Sequence, residues 1–210
     1  MADLKTISNT LIKGDAANLK SQVQAALDER TGASQILNEA LIPGMDVVGE
    51  RMEDGDMFIP EVLMSAKAMS AALGILRPLL TDEESRSAGK VLIGTVKGDL
   101  HDIGKNLVAM MLESAGFEVV NLGVDIAPEA FVEAVKEHQP QIIGLSALLT
   151  TTMTQMQKTV DALKESGLKD SVKVMVGGAP VTEKFANQIG VDGYAPDAGS
   201  AGKLARSLVQ

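Results

Sequence analysis

The 210-residue chain has two histidines, His101 and His138, and no cysteine. A metal site made only of protein nitrogen and sulfur is hard to build from that inventory. Any nitrogen-ligated metal must take most of its ligands from something other than this chain. His101 lies in the loop sequence Lys97-Gly98-Asp99-Leu100-His101-Asp102-Ile103-Gly104-Lys105-Asn106, which carries glycines near both ends. Asp99 precedes the histidine by two, and in extended backbone residues i and i+2 point the same way. Asp99 can then accept a hydrogen bond from one ring nitrogen and leave the other free for a metal, an arrangement that fixes the tautomer and raises ligand basicity. The same spacing also suits an exposed loop histidine beside a solubilising aspartate. A phosphate loop is disfavoured, because that pattern needs four residues between its glycines, then Lys and a hydroxyl residue. Here five residues separate Gly98 from Gly104, and Asn106 stands where the hydroxyl is required. The dinucleotide pattern GxGxxG is absent as well.

The elements that position this loop read in two blocks. Residues 3–80 have helical spacing throughout: Leu19, Val23, Ala26 and Leu27, then Ile36, Leu37, Ala40 and Leu41, then Val62, Leu63, Ala66, Met69, Leu73 and Leu76. Asp15 and Ser34 are expected to cap helix N-termini, Gly32 to stop a helix, and Pro60 to sit in the first turn of the last long helix. Four or five helices packed as an all-α bundle follow. The polar stretch 81–89 reads as a linker, giving a helical domain 1–80 and a second domain 90–210. In the second domain, β-rich segments 91–96, 117–122, 141–147, 172–177 and 191–195 alternate with helical segments 104–115, 127–138, 151–166, 181–189 and 198–208. That alternation predicts an α/β Rossmann-like (flavodoxin-like) domain with a five-stranded parallel sheet and helices on both faces. Continuously apolar VLIGTV agrees with a strand covered on both sides.

Ligands of such sheets bind beyond the C-terminal strand ends, so loops 97–103, 122–126, 146–151 and 177–180 are expected to surround one site. Strand three ends in Ser146-Ala147-Leu148-Leu149-Thr150-Thr151-Thr152, and strand four in Gly177-Gly178-Ala179-Pro180. Small residues and hydroxyls there leave room beside the sheet, and a glycine pair permits close backbone approach. Tight turns explain the same glycines. Composition narrows the class further. Aromatics are 2% of the chain and Met numbers 11, so the core is aliphatic with methionine filling gaps. A net charge of -9 argues against nucleic acid as a partner. No uninterrupted apolar run approaches the roughly 18 residues of a membrane span, and the N-terminus lacks a signal-peptide pattern. The expectation is a cytoplasmic protein with no membrane partner.

The three strand-end motifs together resemble those of the B12-binding corrinoid proteins, in the two-module form found in cobalamin-dependent methionine synthase and in the small corrinoid proteins of methanol and methylamine methyltransferase systems. The family pattern is Asp-x-His-x-x-Gly, then Ser-x-Leu, then Gly-Gly. Here these are Asp99, His101 and Gly104; Ser146 and Leu148; Gly177 and Gly178. The upstream stretch VGERMEDGDMFIPEVLMSAKAM resembles the family's helical cap. The resemblance implies a cobalamin cofactor (methylcobalamin and cob(I)alamin, or another corrinoid) bound base-off. His101 would be the cobalt axial ligand, and Asp99 and Thr152 would extend from it as a relay. Gly98, Asp102, Ile103 and Gly104 would line the lower face, and the nucleotide tail would thread beside Ser146, Leu148, Thr150, Gly177 and Gly178. Met52, Ile59 and Val62 would cover the upper face. The implied function is a methyl carrier, the corrinoid subunit of a methyltransferase system and not catalytic alone. Its implied partners are a substrate-specific methyltransferase, a second methyltransferase acting on tetrahydrofolate or coenzyme M, and a reductive activation protein. The B12 subunit of an adenosylcobalamin-dependent mutase and a B12-based sensor are the alternatives.

Overall fold

A computed structural model describes residues 3–80 and 88–209, so most of the expected linker, residues 81–87, lies outside the described residues. The chain divides into two compact units, one helical and one built on a sheet.

The helical unit contains α1 (Leu4–Ile12), α2 (Ala16–Asp28), α3 (Ala33–Ile36), α4 (Ile42–Glu53) and α5 (Ile59–Leu76). Asp3 caps α1 and Asp15 caps α2, each side chain accepting from main-chain N–H groups that the helix leaves unpaired. The expectations at Gly32 and Ser34 do not hold. Gly32, with extended φ and ψ, is the residue that opens α3, and Ser34 lies inside that helix with its hydroxyl against Asn38. A π-helical turn, Leu37–Leu41, joins α3 to α4 one residue before Pro43. Proline lacks the N–H an α-helix needs, and its ring collides with the carbonyl four residues back, so the ladder widens there. Pro60 falls in the first turn of α5, and Glu61 reaches back to the Phe58 N–H at 2.9 Å. The segment Ile59–Leu79 is, among the described residues, long and apolar enough to cross a bilayer by length and composition, although Glu61 and Lys67 interrupt it. Val62, Ser65, Ala66, Met69, Ala72 and Leu76 form a buried stripe along α5, which packs on α2 and α4. That is how the central helix of a bundle behaves.

In the sheet unit, β1 (Lys90–Val96), β2 (Glu118–Ile126), β3 (Ile142–Ser146), β4 (Lys173–Gly177) and β5 (Gly193–Tyr194) alternate with α6 (Ile103–Ser114), α7 (Pro128–His138), α8 (Met153–Glu165), α9 (Glu183–Ile189) and α10 (Ala198–Val209). All pairings are parallel, in the order β2-β1-β3-β4-β5. The chain steps one way from β1 to β2 and the other way from β2 to β3. Right-handed crossovers therefore put α6 on one face and α7, α8 and α9 on the other. Leu92, Val96, Ile143, Leu145, Val174 and Val176 form one core with Phe131, Val135, Met156, Val160 and Ile189 of those three helices. Val91, Ile93, Ile142 and Met175 alternate to the opposite face and are buried as well.

Two boundaries differ from expectation in ways that matter for the site. Segment 122–126 is not a loop but the continuation of β2, and Thr151 and Thr152 precede α8. The strand order reverses between β1 and β3, the place where an open parallel sheet leaves a crevice at its C-terminal edge. The loop carrying His101 and the loop following Ser146 leave the sheet from these two adjacent strands.

Candidate functional site

The loop after β1 begins with a turn in which the Asp99 N–H donates to the Val96 carbonyl at 3.1 Å. Gly98 stands third in that turn with φ +81°, the left-handed conformation that a type II turn demands and glycine supplies without a steric penalty. The buried Thr95 hydroxyl then donates to the His101 carbonyl at 2.8 Å, fixing the main chain of the histidine from beneath.

Asp99 is fully buried. Its Oδ1 accepts from His101 Nδ1 at 2.7 Å and from the His101 N–H at 3.1 Å. Its Oδ2 accepts from the Leu148 N–H at 2.7 Å, the Leu149 N–H at 3.3 Å and the Thr152 hydroxyl at 2.8 Å. Burial by itself raises a carboxyl pKa. Here the hydrogen bonds from Leu148, His101 and Thr152 outweigh it and hold Asp99 well below the usual carboxylate range. An ionised carboxylate can only accept, so the proton shared with His101 resides on Nδ1. The lone pair is then on Nε2, and the His101 side chain is 51% exposed. Asp99 thus locks one imidazole nitrogen, presents the other, and ties the β1 loop to the β3 loop.

The other residues expected at the site fall into several groups. Ser146 ends β3, paired in register with Thr95 on one side and Gly177 on the other. Leu148 and Thr150 are exposed beyond it. Asp102, Ile103 and Gly104 are exposed at the start of α6, where a Cβ on Gly104 would meet nothing within 4 Å. Gly178 has a role within the fold itself. At φ +127°, a Cβ there would stand 1.9 Å from the Ala147 carbonyl oxygen, so only glycine lets the end of β4 lie against the β3 loop. Met52, Ile59 and Val62 belong to the helical unit; Ile59 is exposed and Met52 half-buried, while Val62 is fully buried in the α5 stripe.

Several participants escape a reading of local pattern. Thr95 and Leu149 are two. Asp125 is a third: its Oδ1 accepts from the Gly98 N–H at 2.7 Å, and its own N–H donates to the Asp99 carbonyl at 3.1 Å. Lys105, buried, donates to Asn106 Oδ1 at 2.6 Å and Asn121 Oδ1 at 2.7 Å. Burial pulls its pKa down, against the opposing pull of Asp102.

Several large aliphatic side chains of the β1 and β3 loops and the start of α6 are exposed. Leu100 and Ile103 are each 72% exposed, and Leu148 and Leu149 are exposed beside them. Large bare aliphatic side chains grouped at one strand edge mark a binding surface. Among the described residues no group of three or more His, Cys or acidic side chains could hold a metal ion. His101 therefore offers one nitrogen donor, with no group of protein co-ligands beside it among the described residues.

Fold and site together define an α/β protein with a buried aspartate holding one nitrogen of an exposed histidine at the switch point of its parallel sheet. Residues 89–201 match the model of the B12 binding domain, and residues 4–77 match a second model also described as a B12 binding domain. The dimethylamine corrinoid protein of Methanosarcina barkeri is 44% identical over 194 residues, covering 90% of this chain and 91% of its own. The structure of a cobalamin-binding protein from Desulfitobacterium hafniense superposes with a TM-score of 0.87 at 36% identity, over 100% of both chains. A chain of the methanol:cobalamin methyltransferase complex of Methanosarcina barkeri superposes at 0.84 with 31% identity, over 98% of this chain and 79% of that one. This chain belongs to the B12-binding family of two-module corrinoid proteins, and its cofactor is a corrinoid.

Proposed function

We propose that this chain is the methyl-carrying corrinoid subunit of a methylamine- or methanol-type methyltransferase system, with His101 Nε2 as the lower axial ligand of cobalt in place of the cofactor's own base. The observation that carries the ligand assignment is the buried, acceptor-only Asp99, which holds the His101 Nδ1 proton and leaves Nε2 bare. The relatives named for dimethylamine and for methanol:cobalamin methyl transfer support the choice of system.

A bound corrinoid supplies a cobalt that accepts and releases a methyl group. The chain's residues do the rest. Leu100, Ile103, Leu148 and Leu149, all exposed, would present apolar surface to a bound corrinoid. Gly104 leaves open space beside Ile103, and Ser146, Thr150 and Gly177 line the strand ends past which the nucleotide tail would run. His101 Nε2 would hold the cobalt, and the buried Asp99 carboxylate beside Nδ1 would balance positive charge on the imidazole. The Thr152 hydroxyl donates to the same carboxylate and lies 2.9 Å from the Leu149 carbonyl, so it can shift between the two acceptors as the charge on the pair changes. The partners under this reading are a substrate-specific methyltransferase, a second methyltransferase passing the group to tetrahydrofolate or coenzyme M, and a reductive activation protein.

The test is electron paramagnetic resonance of the Co(II) complex. Uniform nitrogen-15 labelling of the protein, with unlabelled cobalamin, should convert the axial superhyperfine pattern from triplet to doublet. A pattern indifferent to labelling would remove His101 from the cobalt.

A further inference from the structure

Asp125 has φ +57°, a left-handed conformation uncommon for any residue but glycine. It lies near the end of β2, where pairing with β1 is irregular. Ile93 pairs with Asn121, Gly94 with Gly123 and Val96 with Ile126, so β2 carries an extra residue in each of two successive intervals. Such bulges sharpen the local twist and re-aim side chains, and they recur beside functional sites. The second bulge turns both the main chain and the carboxylate of Asp125 onto the β1 loop. The carboxylate takes the Gly98 N–H at 2.7 Å, and the Asp125 N–H reaches the Asp99 carbonyl at 3.1 Å. The first bulge is held in turn by Asn121, whose Oδ1 accepts from the Gly123 N–H at 3.1 Å and from buried Lys105 Nζ at 2.7 Å.

Asp99 is consequently fixed twice. Leu148, Leu149 and Thr152 anchor its carboxylate, and Asp125 adds to the Val96 turn bond in anchoring its main chain. Without Asp125, the loop main chain would keep only the Val96 turn bond and the Thr95 bond to the His101 carbonyl, giving His101 more freedom to leave its alignment with Oδ1. We propose that Asp125 is a positioning residue for the cobalt ligand: by gripping the main chain of Gly98 and Asp99, it holds His101 in the Nδ1–H tautomer. The significance for cobalt rests on the reading of His101 as its ligand, whereas the clamp itself acts in the protein without cofactor.

The experiment uses the full chain with nitrogen-15-labelled histidine, free of cobalamin, at about pH 8.5, where an ordinary imidazole is neutral. Ring nitrogen shifts report the tautomer, and the only other histidine, His138, is assigned by substitution. Asp125→Gly tolerates the left-handed φ and keeps the N–H, so it removes the carboxylate alone. The ratio of Nδ1–H to Nε2–H tautomer at His101 should fall about tenfold, the equilibrium value of one charge-assisted hydrogen bond. Asp125→Asn keeps an acceptor oxygen and is tolerated at this φ, and its ratio should stay within about twofold of the parent. A parental ratio in Asp125→Gly overturns the proposal, and so does an equal loss in both variants. In the Co(II) complex, histidine-coordinated cobalt should fall about tenfold in Asp125→Gly and persist in Asp125→Asn. If the parent itself shows no histidine coupling, the ligand assignment fails, and the cofactor-free tautomer ratios still decide the clamp.

Discussion

The Asp99 carboxylate receives five hydrogen bonds and donates none. That count distinguishes it from an aspartate that merely lies near a histidine. An asparagine in its place has one acceptor oxygen and an NH2 group that must face donors, whichever way the amide turns. Asp99→Asn should therefore cost about 1–3 kcal/mol of stability, the penalty of a buried unmatched polar group. It should also lower histidine coordination of cobalt about 10–100-fold. Urea denaturation measures the first and the Co(II) spectrum the second; parental values of both would count against the relay. Thr152 differs in kind, since its hydroxyl is one donor among several.

Among the elements, the N-terminal ends of β4 and β5 are braced by charges as well as by the hydrophobic core. Asp192, just before β5, accepts from Lys169 Nζ at 2.8 Å and from the Val174 N–H at 2.8 Å, with Lys173 at 3.6 Å. Burial pushes its pKa up, but Lys169 and the Val174 N–H outweigh that and hold it below the ordinary value. A carboxyl with a depressed folded-state pKa contributes stability above the unfolded value, about 3.9 for Asp, and loses it as pH falls through the folded one. Asp192→Asn should therefore lower the melting temperature by about 2–4 °C at pH 7, for about 1 kcal/mol after solvent screening. The two proteins should converge as pH falls through the folded-state pKa of Asp192. A difference that persists in acid would assign the effect to packing.

For the whole molecule, cofactor binding and folding are linked. A ligand that binds the folded chain alone at about 100 times its Kd adds about 2.7 kcal/mol. Calorimetry with hydroxocobalamin should accordingly show an upward shift in melting temperature. His101→Ala at the same cobalamin concentration should show a smaller shift; an equal one would mean that the imidazole contributes no binding free energy. The apolar helix α5 also takes its meaning only at this scale. Its length and composition suit a bilayer, but its buried stripe is spent on α2 and α4.

Local pattern carried a good deal of this protein. Period-two and period-3.6 apolar spacing are short-range properties of the backbone, so the helical block, the five parallel strands and the intervening helices were legible, within a few residues at their ends. The Asp99–His101 pair was legible because two residues of extended chain suffice to bring carboxylate and imidazole together. The reach of Thr152 to Asp99 came from family resemblance, since 53 residues separate them. What was not legible depends on contacts between distant segments. The strand order is set by crossovers and register, which no window of sequence contains. Segment 122–126 looked like a loop because its glycine and aspartate are poor strand formers, yet pairing with β1 makes it a bulged strand. Gly32 took the cap expected of Ser34, which lies inside α3, because capping depends on the φ and ψ the chain adopts, and not on residue type alone. Gly178 is required by the Ala147 carbonyl of another strand's loop, and the grip of Asp125 on Gly98 joins residues 27 apart. The chemistry of the ligand was written in one loop, but tertiary structure decided what holds that loop still, because each anchor is a hydrogen bond between segments far apart in the chain.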